Sequence, residues 1–210
     1  MIKKIKIALL LVGLSPLLLA ILCEEEDLGL EIGPRNKTAV TLSAGPIFSV
    51  NDTLWINGKV SSMIATGTPG DSIANENAFI RDIISVMRLK TADRNSNTRE
   101  AVDEFQWVTR IGSIDFLGAC PDSELIAQGP LTENGQEYEY EIGLVPVNRG
   151  DFVLSWLEPV AIRNTNLNTE LLEQYQLEDN PNALGLTKCG ITSTIPSVQQ
   201  SKGEFFFSVD

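Results

Sequence analysis

The sequence reads as an all-β protein, an antiparallel β-sandwich with a long C-terminal connection and little helix. Three observations predict this. Short apolar runs rich in Val, Ile, Phe and Trp recur along residues 38–210 and are punctuated by Gly, Pro and Asn, the spacing of strands and turns. Tyr138, Tyr140, Ile142 and Leu144 alternate with Glu139 and Glu141, a period of two that turns one face of a strand to a core and the other to solvent. Phe152, Leu154 and Trp156 repeat the pattern after the turn at Asn148-Arg149-Gly150-Asp151. Tyr140, Ile142, Leu154 and Trp156 are therefore expected to be buried, and Glu139 and Glu141 exposed.

Taken in order, Thr41-Leu42-Ser43 is a short first strand. Thr53 to Ile56 and Lys59 to Ile64 flank Asn57-Gly58, which is either a hairpin turn or a bulge within one long strand. Ile83 to Leu89 and Glu104 to Phe116 are further apolar runs. Glu204-Phe205-Phe206-Phe207-Ser208-Val209 closes the chain as a strand inserted into a sheet, since an apolar strand left free invites pairing with other chains. Asn168-Thr169-Glu170 can cap about two turns of helix over Leu171 to Gln176, and Ile73 to Phe79 is a weaker helix candidate. Many short strands with such turns are the pattern of an immunoglobulin-like sandwich, in which residues 161–201 form an elaborated connection.

The amino end has a different character. Ile2-Lys3-Lys4-Ile5-Lys6 is a short positive segment, and residues 7–22 are apolar except at Gly13, Ser15 and Pro16. A charged start, an apolar middle and an abrupt polar end are the three parts of a secretory signal. A membrane-spanning helix needs about 20 apolar residues. This run has 16, and Pro16 interrupts a helix there.

The run ends in Ala20-Ile21-Leu22-Cys23, followed by Glu24-Glu25-Glu26-Asp27. A cysteine at the cut site resembles bacterial lipoprotein signals, in which the thiol receives a diacylglycerol; Leu22 stands where that family prefers a small residue. Four acids directly after the cysteine resemble the export tag of Bacteroidota lipoproteins sent to the outer leaflet of the outer membrane. The resemblance covers residues 1–27. It implies a signal peptide over 1–22, lipid on Cys23, an acidic tether over 23–37 and a sandwich domain over 38–210, held at the outer membrane and facing the cell exterior. Two or more acyl chains make a stable anchor.

Lys3, Lys4 and Lys6 leave with such a signal, and 13 basic residues then face 28 acidic ones, a net charge of −15. A body that acidic repels phosphate backbones, which excludes nucleic acid as a partner. It is also kept from anionic membrane surfaces, so attachment has to come from the lipid.

With Cys23 assigned to lipid, Cys120 and Cys189 remain as a pair. An exported setting is oxidising, so a disulfide is the natural reading. Closing a loop of about 70 residues stabilises by roughly 4 kcal/mol on the chain-entropy model. The alternative is two separate buried thiols.

Chemistry is sparse. The chain has no histidine and no CxxC, which removes zinc sites, Ser-His-Asp triads and Cys-His dyads. Gly67-Thr68-Pro69-Gly70 lacks the lysine and helix of a phosphate loop, and Glu178-Asp179-Asn180 is too short for a calcium loop. Hydrolysis by a carboxylate pair needs only two acids at the right separation, and with 28 acids present their occurrence discriminates nothing. No catalytic residue, metal or cofactor is expected, and the chain is not expected to be an enzyme.

Trp55, Trp107 and Trp156 form a sugar-stacking platform only if exposed; each sits in an apolar strand pattern, which favours core packing. Asp52-Thr53-Leu54 and Asp71-Ser72-Ile73 resemble the short O-glycosylation signal of Bacteroidota, which makes Thr53 and Ser72 candidate sites. The resemblance as a whole implies a surface accessory protein that docks on an outer-membrane complex, such as a TonB-dependent transporter of the Sus type. The alternative is a surface glycan-binding module, and it requires two tryptophans exposed on one face.

Overall fold

The alternation of residue types becomes an alternation of burial most plainly in β3 (Leu54–Ser61). Leu54, Ile56, Gly58 and Val60 are buried, while Trp55, Asn57 and Lys59 lie half-buried on the other face. Asn57-Gly58 therefore makes no turn; one strand runs straight through it. Glycine is required there because a Cβ would lie 2.2 Å from the Tyr140 ring of the neighbouring strand.

The computed structural model describes residues 37–43, 45–65, 71–74, 79–118, 121–157, 160–163, 170–195 and 203–210. Among them, five strands make one sheet in the order β13 (Ala161–Arg163), β1 (Ala39–Leu42), β3, β11 (Glu137–Pro146) and β8 (Phe105–Ile111). The second sheet runs β2 (Ile47–Phe48), β16 (Glu204–Val209), β12 (Gly150–Trp156), β6 (Phe79–Leu89), β10 (Glu124–Pro130) and β9 (Ser113–Phe116), with β7 (Thr98–Glu100) beside the end of β6. Pairing in both sheets is antiparallel except at two edges, where β13 joins β1 and β2 joins β16 in parallel. β4 (Met63–Ala65) and β5 (Ser72–Ala74) form a separate hairpin, as do β14 (Leu184–Lys188) and β15 (Ile191–Ile195).

The two sheets pack face to face as a sandwich. Leu54, Ile56, Tyr140, Ile142 and Leu144 of the first sheet share one core with Ile84, Leu125, Phe152, Leu154, Phe205 and Phe207 of the second. Tyr140, Ile142, Leu154 and Trp156 are all buried, as their alternation requires. Tyr140 brings its hydroxyl into this core and donates it to Asp82 at 2.7 Å. Burial, and then the charge of Asp82, push the phenol well above its ordinary value.

The chain passes from the first sheet to the second at Gly112, between β8 and β9. What reads as one long apolar run from Glu104 to Phe116 is thus two strands in two sheets, preceded by a 3-10 turn over Val102–Glu104. Gly112 has φ +83°, and a Cβ there would lie 2.0 Å from the carbonyl oxygen of Gln128.

The seven-stranded sheet is buried on its outer face as well. Met87, Leu89, Val153 and Phe206 pack against Leu171, Leu172, Leu184 and Leu186 in a second core. Burial of both faces is why Phe205, Phe206 and Phe207 are consecutive rather than alternating. Residues 161–201 therefore build structure of their own: they supply the strand β13, helix α1 (Glu170–Glu173) and the β14–β15 hairpin. The expected helix is shorter than two turns. After Glu173 the N–H groups of Gln174 and Tyr175 bond only three residues back, to Leu171 and Leu172, which tightens and ends the turn. Asn168 and Thr169, its expected cap, lie outside the described residues. Ile73 to Phe79 is not helical at its ends: Ile73 sits in β5 and Phe79 opens β6.

Buried polar groups lock this third layer on. The Asn97 amide donates to the carbonyls of Tyr175 and Ala183 at 2.8 and 3.3 Å and accepts from the Gly185 N–H at 2.9 Å. Apart from that layer, buried Glu104 of the 3-10 turn is held between Arg88 of β6 at 2.6 Å and Arg99 of β7 at 2.5 Å.

Candidate functional site

The outer face of the five-stranded sheet collects the half-buried polar side chains of β3 and β11, with the exposed Arg110 of β8 beside them. Register sets Lys59 opposite Glu139, Asn57 opposite Glu141 and Trp55 opposite Gly143. Lys59 Nζ lies 3.0 Å from Glu139 Oε1, and the Asn57 amide donates to the same oxygen at 2.7 Å. Arg110 reaches across from β8 to Glu141 at 3.1 Å. Neither glutamate is fully exposed, contrary to expectation. Each lies beneath a cation from the neighbouring strand, with side-chain exposures of 15% for Glu139 and 24% for Glu141.

Burial alone would raise the Glu139 carboxyl. The Asn57 and Lys59 hydrogen bonds and the Lys59 charge outweigh it and hold the group below its ordinary 4.5. A depressed carboxylate stabilises the fold above its unfolded value, and that contribution is lost as pH falls through the folded one. Glu139→Gln should therefore destabilise at pH 7 by about 0.5–1 kcal/mol, the range of a partly exposed pair. Urea unfolding at pH 7 and again at about pH 3, below the carboxylate range, should show that difference closing.

Arg110 also lies with its guanidinium 3.6 Å from the centre of the Trp55 ring. On the sheet side the same ring lies over Gly143, where a Cβ would stand 3.0 Å from it. Trp55 is thus covered from above by a cation and from below by backbone. Beside it a shallow polar depression of about 370 Å³ is lined by Lys37, Thr41, Asn57, Lys59, Ser61 and Glu137, among others.

The other tryptophans are elsewhere. Trp156 is 5% exposed, within the core. Trp107 packs against that core from the inner side of its sheet, donates its indole N–H to the Val102 carbonyl at 3.2 Å and meets Phe116 edge-on at 6.4 Å. No two of them share an open face.

Cys23 and Cys120 lie outside the described residues. Cys189 occupies the two-residue turn between β14 and β15. Its φ is +49° and that of Gly190 is +74°, positive at both positions as a tight hairpin turn demands. Its N–H donates to Glu100, and its sulfur is disulfide-bonded. Ser72 is exposed at the start of β5, whereas Thr53 is half-buried just before β3, its methyl directed at Gly143.

Sequence reasoning passed over Arg110, although a cation inside an apolar run was a signal that something pairs with it. It also passed over the exposed apolar side chains, among them Val108, Phe116, Ile73 and Leu157, with 40%, 46%, 58% and 59% of their surface open. Compared with known protein families, with curated proteins and with solved structures, the chain matches none.

Proposed function

We propose that this chain is a lipid-anchored accessory protein of the bacterial outer membrane, displayed on the cell surface through Cys23. It acts without catalysis, through contact with an outer-membrane protein complex such as a TonB-dependent transporter. The address rests on the amino-terminal pattern, a positive start, an apolar run, Cys23 and four acids. The contact rests on one observation in the domain. β8 and β9, joined through Gly112, are edge strands of the two sheets, and among the described residues each pairs on one side only. Val108 and Phe116 are exposed along them. An edge of this kind offers backbone groups and apolar side chains to a partner strand or loop.

The same reading makes Cys120 the partner of Cys189 in an oxidising compartment, so that a non-reduced digest yields the two peptides linked. Ser72, more open than Thr53, is the better glycan acceptor.

The glycan-binding alternative needs an open aromatic platform. Arg110 over Trp55 and the burial of Trp156 argue against one. Tagged protein pulled down from detergent-solubilised outer membrane should bring an integral outer-membrane protein with it. Val108→Asp with Phe116→Asp should lose that protein while the fold is retained, and a glycan array should stay blank. A glycan hit that disappears on substituting Trp55 would overturn the proposal. So would polysaccharide hydrolysis abolished by a single Asp or Glu substitution.

A further inference from the structure

The chain enters the domain at one end of the sandwich. Ala39 pairs with Lys59 near the end of β3, and the Thr38 hydroxyl donates to Asp82, near the start of β6, at 3.3 Å. Four large apolar side chains are exposed at that same end. β3 leaves it through Ser62, whose N–H bonds the Gln136 carbonyl at 2.9 Å, into the β4–β5 hairpin, which carries Met63 at 43% and Ile73 at 58% exposure. Leu131, bridged to Tyr138, is 45% exposed. Leu157, whose N–H bonds the Ile83 carbonyl at 2.9 Å, is 59% exposed.

The hairpin is the unusual part. Ile64 stands opposite Ile73 and Met63 opposite Ala74, so both faces are apolar, and no third strand joins it among the described residues. A lone two-stranded ribbon is marginal in water, and clustered apolar exposure marks a contact surface.

We propose that this end of the domain rests on the lipid surface, with the β4–β5 hairpin lying in the headgroup region. The inference depends on the anchor at Cys23. What identifies the occupant is where the tether arrives. Residues 24–36 span at most about 45 Å when extended, and they deliver the chain to Lys37, beside the exposed apolar side chains. The acidity of the whole domain does not oppose this. Among the described residues Lys37 and Arg81 here offset two of the three exposed acids Asp71, Glu133 and Glu137, which suits a zwitterionic surface.

The test uses the full lipidated chain in phosphatidylcholine vesicles, with an environment-sensitive fluorophore on Ile73→Cys. Ile47→Cys serves as the comparison position. Ile47 is 64% exposed and pairs with Ser208, at the far end of β16 from Glu204 and Ser155. The probe at residue 73 should shift to the blue and be quenched by spin-labelled lipid, while the probe at residue 47 should report water. A chain that floats with the vesicles while both probes report water overturns the membrane-facing end and leaves the anchor standing. So does quenching at residue 47 alone. A chain that does not float removes the anchor, and the membrane-facing end falls with it.

Discussion

Phe207→Ala should be among the most damaging single truncations, at about 4 kcal/mol, within the range for emptying a buried aromatic site. Phe207 is 1% exposed and joins both sheets. Its ring stacks on Phe152 at 5.5 Å and Phe205 at 5.7 Å, meets Phe48 edge-on at 5.6 Å and lies 6.1 Å from Phe105. The surrounding rings are themselves buried and bonded into strands, so they cannot collapse into the space. Domains are commonly stable by only about 5–15 kcal/mol, so the variant should sit near the margin of folding. The midpoint of urea unfolding is the measurement. A loss below about 1 kcal/mol, less than an ordinary core truncation, would mean that the aromatic cluster is not the centre of the core.

Gly112→Ala should rank beside it. A positive φ strains any residue with a Cβ by about 1–2 kcal/mol. The added carbon would also meet the Gln128 carbonyl, which is backbone within β10 and cannot swing aside. Overpacking of this kind costs a further 1–3 kcal/mol or so, for a total of roughly 3 kcal/mol. Gly135→Ala is the fair comparison, because Gly135 also has a positive φ of +71° but open space around it. The two losses measured by thermal unfolding should differ by the clash alone. Equal losses would show that the corner between the sheets yields.

The strands whose two faces meet different surroundings were legible in the sequence. β11 could be read from period two because core lies on one side of it; in β12 Phe152, Leu154 and Trp156 keep that period, but Val153 between them packs into the second core. The pattern says nothing about which strands are neighbours, so the parallel edges β13 and β2 had no signature, and an immunoglobulin-like strand order is not something the alternation carries. Asn57-Gly58 left a turn and one long strand both open, because Asn-Gly is a turn signal only when nothing nearby needs the space; here Tyr140 does, and one strand with continuous register runs through. The layer over the outer face of the seven-stranded sheet was missed for a related reason. Leu171, Leu172, Leu184 and Leu186 are local apolar pairs whose partners, Val153 and Phe206, are distant in sequence.

The candidate site divides in the same way. Glu139 and Glu141 were placed on the correct face by their spacing, but their pairing with Lys59 and Arg110 depends on cross-strand register, which residue spacing does not reveal. Cys189 was singled out by counting cysteines, whereas its place in a positive-φ turn is a property of the β14–β15 hairpin. Cys23 was read from chemistry local to residues 1–27, and it can be tested without any knowledge of the fold.

The most direct test of the account is therefore at that residue. Cells grown with an alkyne analogue of palmitate should incorporate it into the wild-type chain, which should fractionate with the outer membrane. Cys23→Ala should take up no label and release soluble protein. A wild-type chain without label, or label that survives in Cys23→Ala, would contradict the account.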